Sequence, residues 1–439
     1  MSDTKYDIII IGGGAAGLSA AIGAASTSPE AKITVLEKMP RPGRKIMITG
    51  KGRCNLSNIK EWTEFSAHIH PKANFLKPSF YNMNPEKTVS LFNEAGMETV
   101  TERGDRVFPA SHIASDVVDA LVRTVSGYGI SIETGTEVEN IAFNEDLNYF
   151  EISCKDGKSR LCRKVIIATG GLSYPATGST GDGYRWAEES GHKISRLFPS
   201  LTALVPENYK IFDSRGHIDR NTPMSEAGKL LEGNQVKNVN LTLWLNGNIA
   251  QEEFGDIDFT DGGIEGPAGF KISRKCVEAV MNGTKAYITL DLKPAVSNEA
   301  LHSRITKLWK EIGEDRRSFH KSYKEKFNVL LGKLLPHSLI QGFMKCNPSA
   351  DHKTVAKYLK NWRFNIAGYV GYERCVVTAG GVSQEDITAK TLESKKRKGM
   401  YFAGEMIDID ADTGGYNLQC AFSTGYLAGQ SAAKSLSTE

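Results

Sequence analysis

The chain has 439 residues, 40% hydrophobic and 24% charged, a globular composition with enough apolar material for two or three domains. Its net charge of +3 lies too near balance to argue for a nucleic-acid or membrane partner. No stretch reaches the roughly 18 apolar residues of a membrane span, and no small-residue cleavage pattern follows the first apolar run, so a cytoplasmic protein is expected.

Residues 5–11 read as a strand ending in Ile8-Ile9-Ile10-Ile11, followed by glycines, an Ala-rich helix from Ala15 to Ala25, and a second strand at Ile33-Thr34-Val35-Leu36. Strand, helix and strand within about 30 residues form a βαβ unit. Its turn is Gly12-Gly13-Gly14-Ala15-Ala16-Gly17, a G-x-G-x-x-G dinucleotide fingerprint. Gly12 permits the tight turn, Gly14 lets backbone N–H groups approach a pyrophosphate, and Gly17 lets helix pack on strand. The helix N-terminus offers free donors and a positive dipole end to the phosphates. Glu37 lies 20 residues past Gly17, where a carboxylate accepts from ribose hydroxyls and repels the 2′-phosphate of NADP.

Further along, the spacing of Ile113, Val117, Val118, Leu121, Val122 and Val125 predicts a helix over 111–128. Strands are expected over 138–143 and 149–154, and Val165-Ile166-Ile167-Ala168 runs into Thr169-Gly170-Gly171. From about residue 197 Val239, Leu241, Leu243 and Leu245 alternate with polar residues up to Asn246-Gly247, a hairpin signal. Leu301, Ile305, Leu308 and Ile312 then mark a helical stripe in a segment rich in Lys and Arg, read as a solvated face. Strand and α/β character returns from Arg374. The expected fold is α/β. A discontinuous Rossmann-like FAD-binding domain (1–196 and 364–439) surrounds an inserted antiparallel β domain (197–297) and a small helical subdomain (298–363).

The seven cysteines contain no Cys-x-x-Cys, so neither a redox dithiol nor a zinc knuckle is written here. His68 and His70 stand two apart without a carboxylate cluster in the local sequence, and no metal is expected.

Several motifs together resemble the YhiN-like, BaiN-type FAD-dependent oxidoreductases, relatives of the glutathione-reductase-like flavoproteins. They are Gly43-Arg44-Lys45 with Gly52-Arg53-Cys54-Asn55, Arg106-Val107-Phe108-Pro109, Ala168-Thr169-Gly170-Gly171 with Ser173-Tyr174-Pro175, Thr378-Ala379-Gly380-Gly381, and Gly404-Glu405 with Gly414-Gly415-Tyr416-Asn417-Leu418-Gln419. The likeness runs from about residue 5 to 430. It implies FAD contacts at Gly12, Gly14, Ala15, Ala16, Glu37, Lys38, Arg44, Lys45, Asn55, Val138, Thr169, Gly170, Glu405, Asn417 and Leu418. Where the family has Thr-His or Thr-Tyr before Gly-x-Ser-Gly-Pro, this chain has Asp261-Gly262-Gly263-Ile264-Glu265-Gly266-Pro267, which puts the substrate class in question if that loop touches substrate.

The sequence has no second G-x-G-x-x-G, so no separate nicotinamide domain is expected. The resemblance implies NADH or NADPH binding transiently at the flavin and reduction of an enone-like small molecule; the charge balance argues against nucleic acid, and the lack of a long apolar stretch against a membrane. The alternatives are an O2-using oxidase of small amines and a flavin-holding interaction module. Tyr174 and Tyr416 are candidate proton donors, since their motifs should lie by the ring; a packed aromatic with a satisfied hydroxyl is the plainer reading of each. Arg53 is a candidate for stabilising an enolate or reduced flavin; a phosphate contact or a structural ion pair is its plainer reading.

Overall fold

A computed structural model describes residues 4–211, 218–219 and 221–437. The chain divides into two compact units, one of residues 1–198 and 376–439 and the other of 199–375.

The first unit is built on the expected βαβ. Strand Thr4–Ile11 pairs in parallel with Ile33–Glu37 on one side and Ser159–Ile167 on the other. Ser131–Thr134 extends the sheet beyond Ile33–Glu37, and Met400–Phe402 adds in parallel to Ser159–Ile167. The strands at Val138–Asn144 and Tyr149–Cys154 form an antiparallel meander on the start of Ser159–Ile167. The second half of the central strand is wholly apolar, with Ile8, Ile9 and Ile10 fully buried, because a parallel sheet is covered on both faces. The predicted helix over 111–128 spans Ala114–Gly127.

Helix Ala15–Thr27 is buried almost all round. It lies against the C-terminal helix Tyr416–Leu436, and the two backbones approach so closely that side chains have no room. A Cβ on Gly425 would come 2.1 Å from the Ala16 carbonyl oxygen, one on Gly429 2.0 Å from that of Ala20, and one on Gly23 2.3 Å from that of Tyr426. Backbone cannot yield as a flexible side chain can. Gly425→Ala is therefore expected to lower stability by about 2–3 kcal/mol, read as a fall in the urea midpoint. Gly313→Ala, whose Cβ meets nothing within 4 Å, should gain about 0.5–1 kcal/mol from helix propensity.

The second unit holds a closed antiparallel barrel of strands Leu204–Pro206, Gln235–Leu245, Asn248–Thr260, Gly263–Glu265, Ala286–Asp291 and Trp362–Tyr369. The expected hairpin turns at Asn246 (φ 49°) and Gly247 (φ 85°), two left-handed residues whose twist matches the strands they join. Val239, Leu241 and Leu243 are fully buried while Asn240 and Trp244 alternate outward. Helices Asn298–Glu314, Tyr323–Gly332, His337–Cys346 and Val355–Lys360 belong to the same unit. The boundaries thus differ from those read in the sequence: the return to the first unit comes at Val376 rather than 364. The reason is register. Trp362–Tyr369 pairs with both Ala286–Asp291 and Leu204–Pro206 and closes the barrel, a long-range pairing with no local signal. Among the described residues, no helix is long and apolar enough to cross a membrane.

Candidate active site

A cleft opens in the first unit at the C-terminal ends of its parallel strands, where open α/β sheets bind ligands. Its lining includes Gly12, Gly14, Ala15, Ala16, Glu37, Lys38, Arg44, Lys45, Val138, Thr169, Gly170, Glu405, Asn417 and Leu418. Residues from the two ends of the chain thus meet around one space.

The three fingerprint glycines do different things. Gly12 sits at φ +104°, and a Cβ there would meet the Ala168 carbonyl oxygen at 2.5 Å. A Cβ on Gly17 would meet the Gly12 carbonyl oxygen at 1.8 Å; Gly17 packs helix on turn and does not line the cleft. A Cβ on Gly14 would meet nothing within 4 Å. Packing does not demand glycine at Gly14, but a ligand approaching the helix N-terminus does.

Glu37 accepts from the Gly13 and Met39 backbone N–H groups, each at 2.7 Å. Burial pushes its carboxyl up, and these donors oppose the rise. Next to it, Lys38 pairs with Asp182 at 2.7 Å. Burial pushes the Asp182 carboxyl up, but Lys38 and Thr180 outweigh this and hold it below its ordinary value.

At the other end of the cleft Glu405 Oε1 accepts from Ser173 Oγ at 2.6 Å and Thr378 N–H at 2.7 Å, and its Oε2 meets Lys45 Nζ at 2.6 Å. Burial raises this carboxyl; the Lys45 charge and the hydrogen bonds win, so it stays ionised below the usual range. Asp182 carried no assigned role, and Ser173 and Thr378 stood within quoted motifs without one. Only their convergence on Glu405 and Lys38 gives them one.

Asn417 opens the C-terminal helix behind Gly415 (φ +96°), whose Cβ would meet the Ser57 carbonyl oxygen at 2.2 Å. The Asn417 side chain donates to the Ala411 carbonyl at 2.7 Å and accepts from its N–H at 2.9 Å, fixing the loop before the helix. Asn55 does not line the cleft, but its buried Oδ1 has no hydrogen-bond partner. An open Gly14 cradle and a cleft lined by residues from both ends of the chain fit an extended dinucleotide such as FAD.

The candidate catalytic residues lie outside the lining. Arg53 pairs with Glu102, meets His112 Nδ1 at 2.8 Å and lies 4.5 Å over the Phe108 ring. The Thr99–Glu102 and Arg106–Pro109 strands hold it in an ion pair, one of its plainer readings. Tyr174, at φ 53°, caps the turn Pro175–Thr177. Tyr416 is buried, with its ring stacked on His68 at 4.3 Å and edge-on to Phe65 at 5.0 Å. Burial pushes its hydroxyl up to about 12.

His68 and His70, separate in the sequence argument, share Asp412: His68 Nδ1 at 2.8 Å and His70 Nε2 at 3.4 Å. The carboxylate came from 342 residues away, so local sequence did not show it. Among the described residues no cluster of metal ligands forms. Burial raises the Asp412 carboxyl, but the two imidazoles prevail and bring it to about 2 from 3.8. A depressed carboxyl contributes stability that is fully present above its unfolded value and lost as pH falls through the folded one. We expect about 2 kcal/mol to disappear between pH 4 and 2, visible in urea midpoints. Asp412→Asn should flatten that step.

The acidic departure at Asp261 and Glu265 faces Arg374 within the second unit, by an ion pair to Asp261 and at 3.6 Å to Glu265. Both carboxylates have a cation there.

The family model described as "HI0933-like protein Rossmann domain" matches residues 6–431. A relative from Clostridium scindens named 3-dehydro-bile acid delta(4,6)-reductase is 30% identical, covering 97% of this chain and 98% of the relative. One from Escherichia coli named ribosomal RNA dihydrouridine synthase is 29% identical, covering 98% and 99%. Among solved structures, 3-ketosteroid-delta4-(5alpha)-dehydrogenase from Rhodococcus jostii is 15% identical at a TM-score of 0.50, covering 99% of this chain and 98% of that one. It shares the fold.

Proposed function

The chain belongs to the HI0933-like Rossmann-domain family and is an FAD-dependent oxidoreductase, and from that premise we propose that it reduces a carbon–carbon double bond conjugated to a carbonyl, drawing hydride from NADH or NADPH. The observation that carries this reading is the full-length match to a reductase whose named substrate has double bonds beside a 3-keto group. The sequence supports it: one dinucleotide fingerprint and no Cys-x-x-Cys leave neither a second nucleotide domain nor a dithiol route.

Bound FAD supplies two-electron hydride chemistry. In the proposed arrangement, the turn at Gly12–Gly14 and the N-terminus of helix Ala15–Thr27 bind the diphosphate. Glu37 holds the adenosine ribose, Val138 borders the adenine, and Glu405, oriented by Lys45, Ser173 and Thr378, holds the ribityl hydroxyls. The helix N-terminus at Tyr416 and Asn417 would favour negative charge on a bound flavin. In the net reaction NADH or NADPH would give up a hydride equivalent, the substrate β-carbon would gain it and the α-carbon would gain a proton. We assign the proton to Tyr416, whose neighbours in the chain, Asn417 and Leu418, line the cleft.

A second reading of the substrate follows from the relatives named ribosomal RNA dihydrouridine synthase. The double bond lost in forming dihydrouridine is also conjugated to a carbonyl, so the same chemistry serves a uracil base. Anaerobic mixing of the flavin-loaded protein with NADH or NADPH tests the premise. Bleaching of the flavin absorbance, then recovery on adding a 3-keto-4-ene steroid or a uridine-containing RNA, is the expected result. Bleaching by an amine, with peroxide formed in air, would make it an oxidase; no response to any donor would leave a binding module.

A further inference from the structure

The net charge of +3 is the sum of two unlike parts. Residues 298–363 carry 14 Lys and Arg against 6 Asp and Glu, while the rest of the chain carries 40 against 45. The helical segment is therefore at +8 and the remainder at −5. Near-balance overall, read from the sequence as an argument against nucleic acid, conceals a concentrated positive field.

Local neutralisation removes only part of it. Lys310 approaches Glu314, Arg317 pairs with Asp315, Lys345 with Glu226 and Lys360 with Asp291. Arg304, Lys307, Arg316, Lys324, Lys333, Lys353 and Lys357 are exposed and have no carboxylate partner among the described ion pairs. A groove between helices Asn298–Glu314 and Val355–Lys360 is lined by His302, Lys353, Lys357 and Lys360, with Glu299 the one carboxylate on its wall.

Aromatic rings are interleaved with these cations. In the run from Arg316 to Lys324, Phe319 is 61% exposed and Tyr323 51%. Nearby, Trp309 stacks on His352 at 4.3 Å with planes 9° apart, and Tyr323 Oη meets His352 Nδ1 at 2.9 Å. An acidic peptide needs cations but not exposed flat rings. A membrane surface needs an apolar face, and here that stripe is buried: Leu301, Ile305 and Ile312 are all within the core. Spaced cations beside open rings match phosphates beside unstacked bases.

We propose that the helical segment 298–363 is a docking surface for structured RNA, with Lys353, Lys357 and Lys307 contacting phosphates and Phe319 and Tyr323 meeting unpaired loop bases. This deepens the uracil reading of the substrate and rests on it. A duplex would expose phosphates but not base faces, so a stem with an unpaired loop should bind better than a DNA duplex of equal length.

The test is fluorescence anisotropy of the full flavin-loaded protein with a labelled RNA stem-loop over a salt series. Binding should weaken steeply with salt, and the triple variant Lys307→Glu, Lys353→Glu, Lys357→Glu should lower the log–log salt slope by about 3. Phe319→Ala with Tyr323→Ala should remove the preference for the stem-loop while leaving the salt slope. All variants should keep wild-type flavin content, since none lines the cofactor cleft. No RNA binding at low salt, an unchanged slope in the triple variant, or tighter binding to DNA duplex or anionic vesicles would overturn the proposal. Steroid-enone turnover on the same samples separates the two readings: turnover without RNA binding ends this inference and leaves the reductase standing. RNA binding without turnover of either substrate does the reverse.

Discussion

Replacing Gly14 by alanine should yield a folded protein that has lost its colour. The reason lies in what surrounds that position. Gly14 caps helix Ala15–Thr27 with φ −84° and ψ −169°, a conformation open to alanine. The added Cβ would meet no protein atom within 4 Å, so the fold has no steric objection. Ala is a poorer cap than Gly, a cost of about 0.5–1 kcal/mol. The methyl group would project where the diphosphate must touch backbone N–H groups. Loss of that approach should weaken FAD by a factor of about 100 or more, or roughly 3 kcal/mol. Flavin absorbance after purification and titration of the apoprotein with FAD give the measurement; circular dichroism shows whether the fold survives. Undiminished FAD binding would remove the diphosphate from this turn. Gly17→Ala is the contrast: its Cβ would lie 1.8 Å from the Gly12 carbonyl oxygen, so stability and cofactor should fail together.

The second large effect is expected at Glu405. Its carboxylate gathers Lys45, Ser173 and the Thr378 N–H, and the two charges are only 24% and 18% exposed. Glu405→Ala leaves an ammonium, a hydroxyl and a backbone donor without their shared acceptor. Breaking a fully buried pair costs about 3–5 kcal/mol; partial exposure brings the expected loss to about 2–3 kcal/mol, or roughly 4–12 °C in Tm. FAD retention should fall with it, because Lys45 and Ser173 lose the group that orients them. Glu405→Gln keeps an acceptor for Thr378 but not the charge opposite Lys45, and should fall between. If Glu405→Ala melts with the wild type, the carboxylate does not organise this end of the cleft.

The proton-donor assignment shows how far a motif reaches. Gly414-Gly415-Tyr416-Asn417 reads as a tight turn ahead of a helix, and that helix begins at Tyr416. The motif did not say that Tyr416 would stack on His68 or that His68 and His70 would close on Asp412. Those contacts join segments more than 340 residues apart. Arg53 carried the same ambiguity: a cation beside a glycine-rich turn reads equally as catalytic or structural until its partners, Glu102 and Phe108, are located.

The sequence by itself determined the βαβ unit, the packing roles of Gly12 and Gly17, the Asn246-Gly247 hairpin and the helical texture after residue 298. Each is a local matter: φ angles, side-chain period and turn chemistry act within a few residues. Tertiary structure alone decided the rest. It closed the barrel with Trp362–Tyr369, pressed Gly425 and Gly429 against the first helix, and brought Glu405 to Lys45 across 360 residues. Such pairings depend on which surfaces can approach and which charges must be neutralised once water is excluded, and neither is written in the spacing of neighbours along the chain.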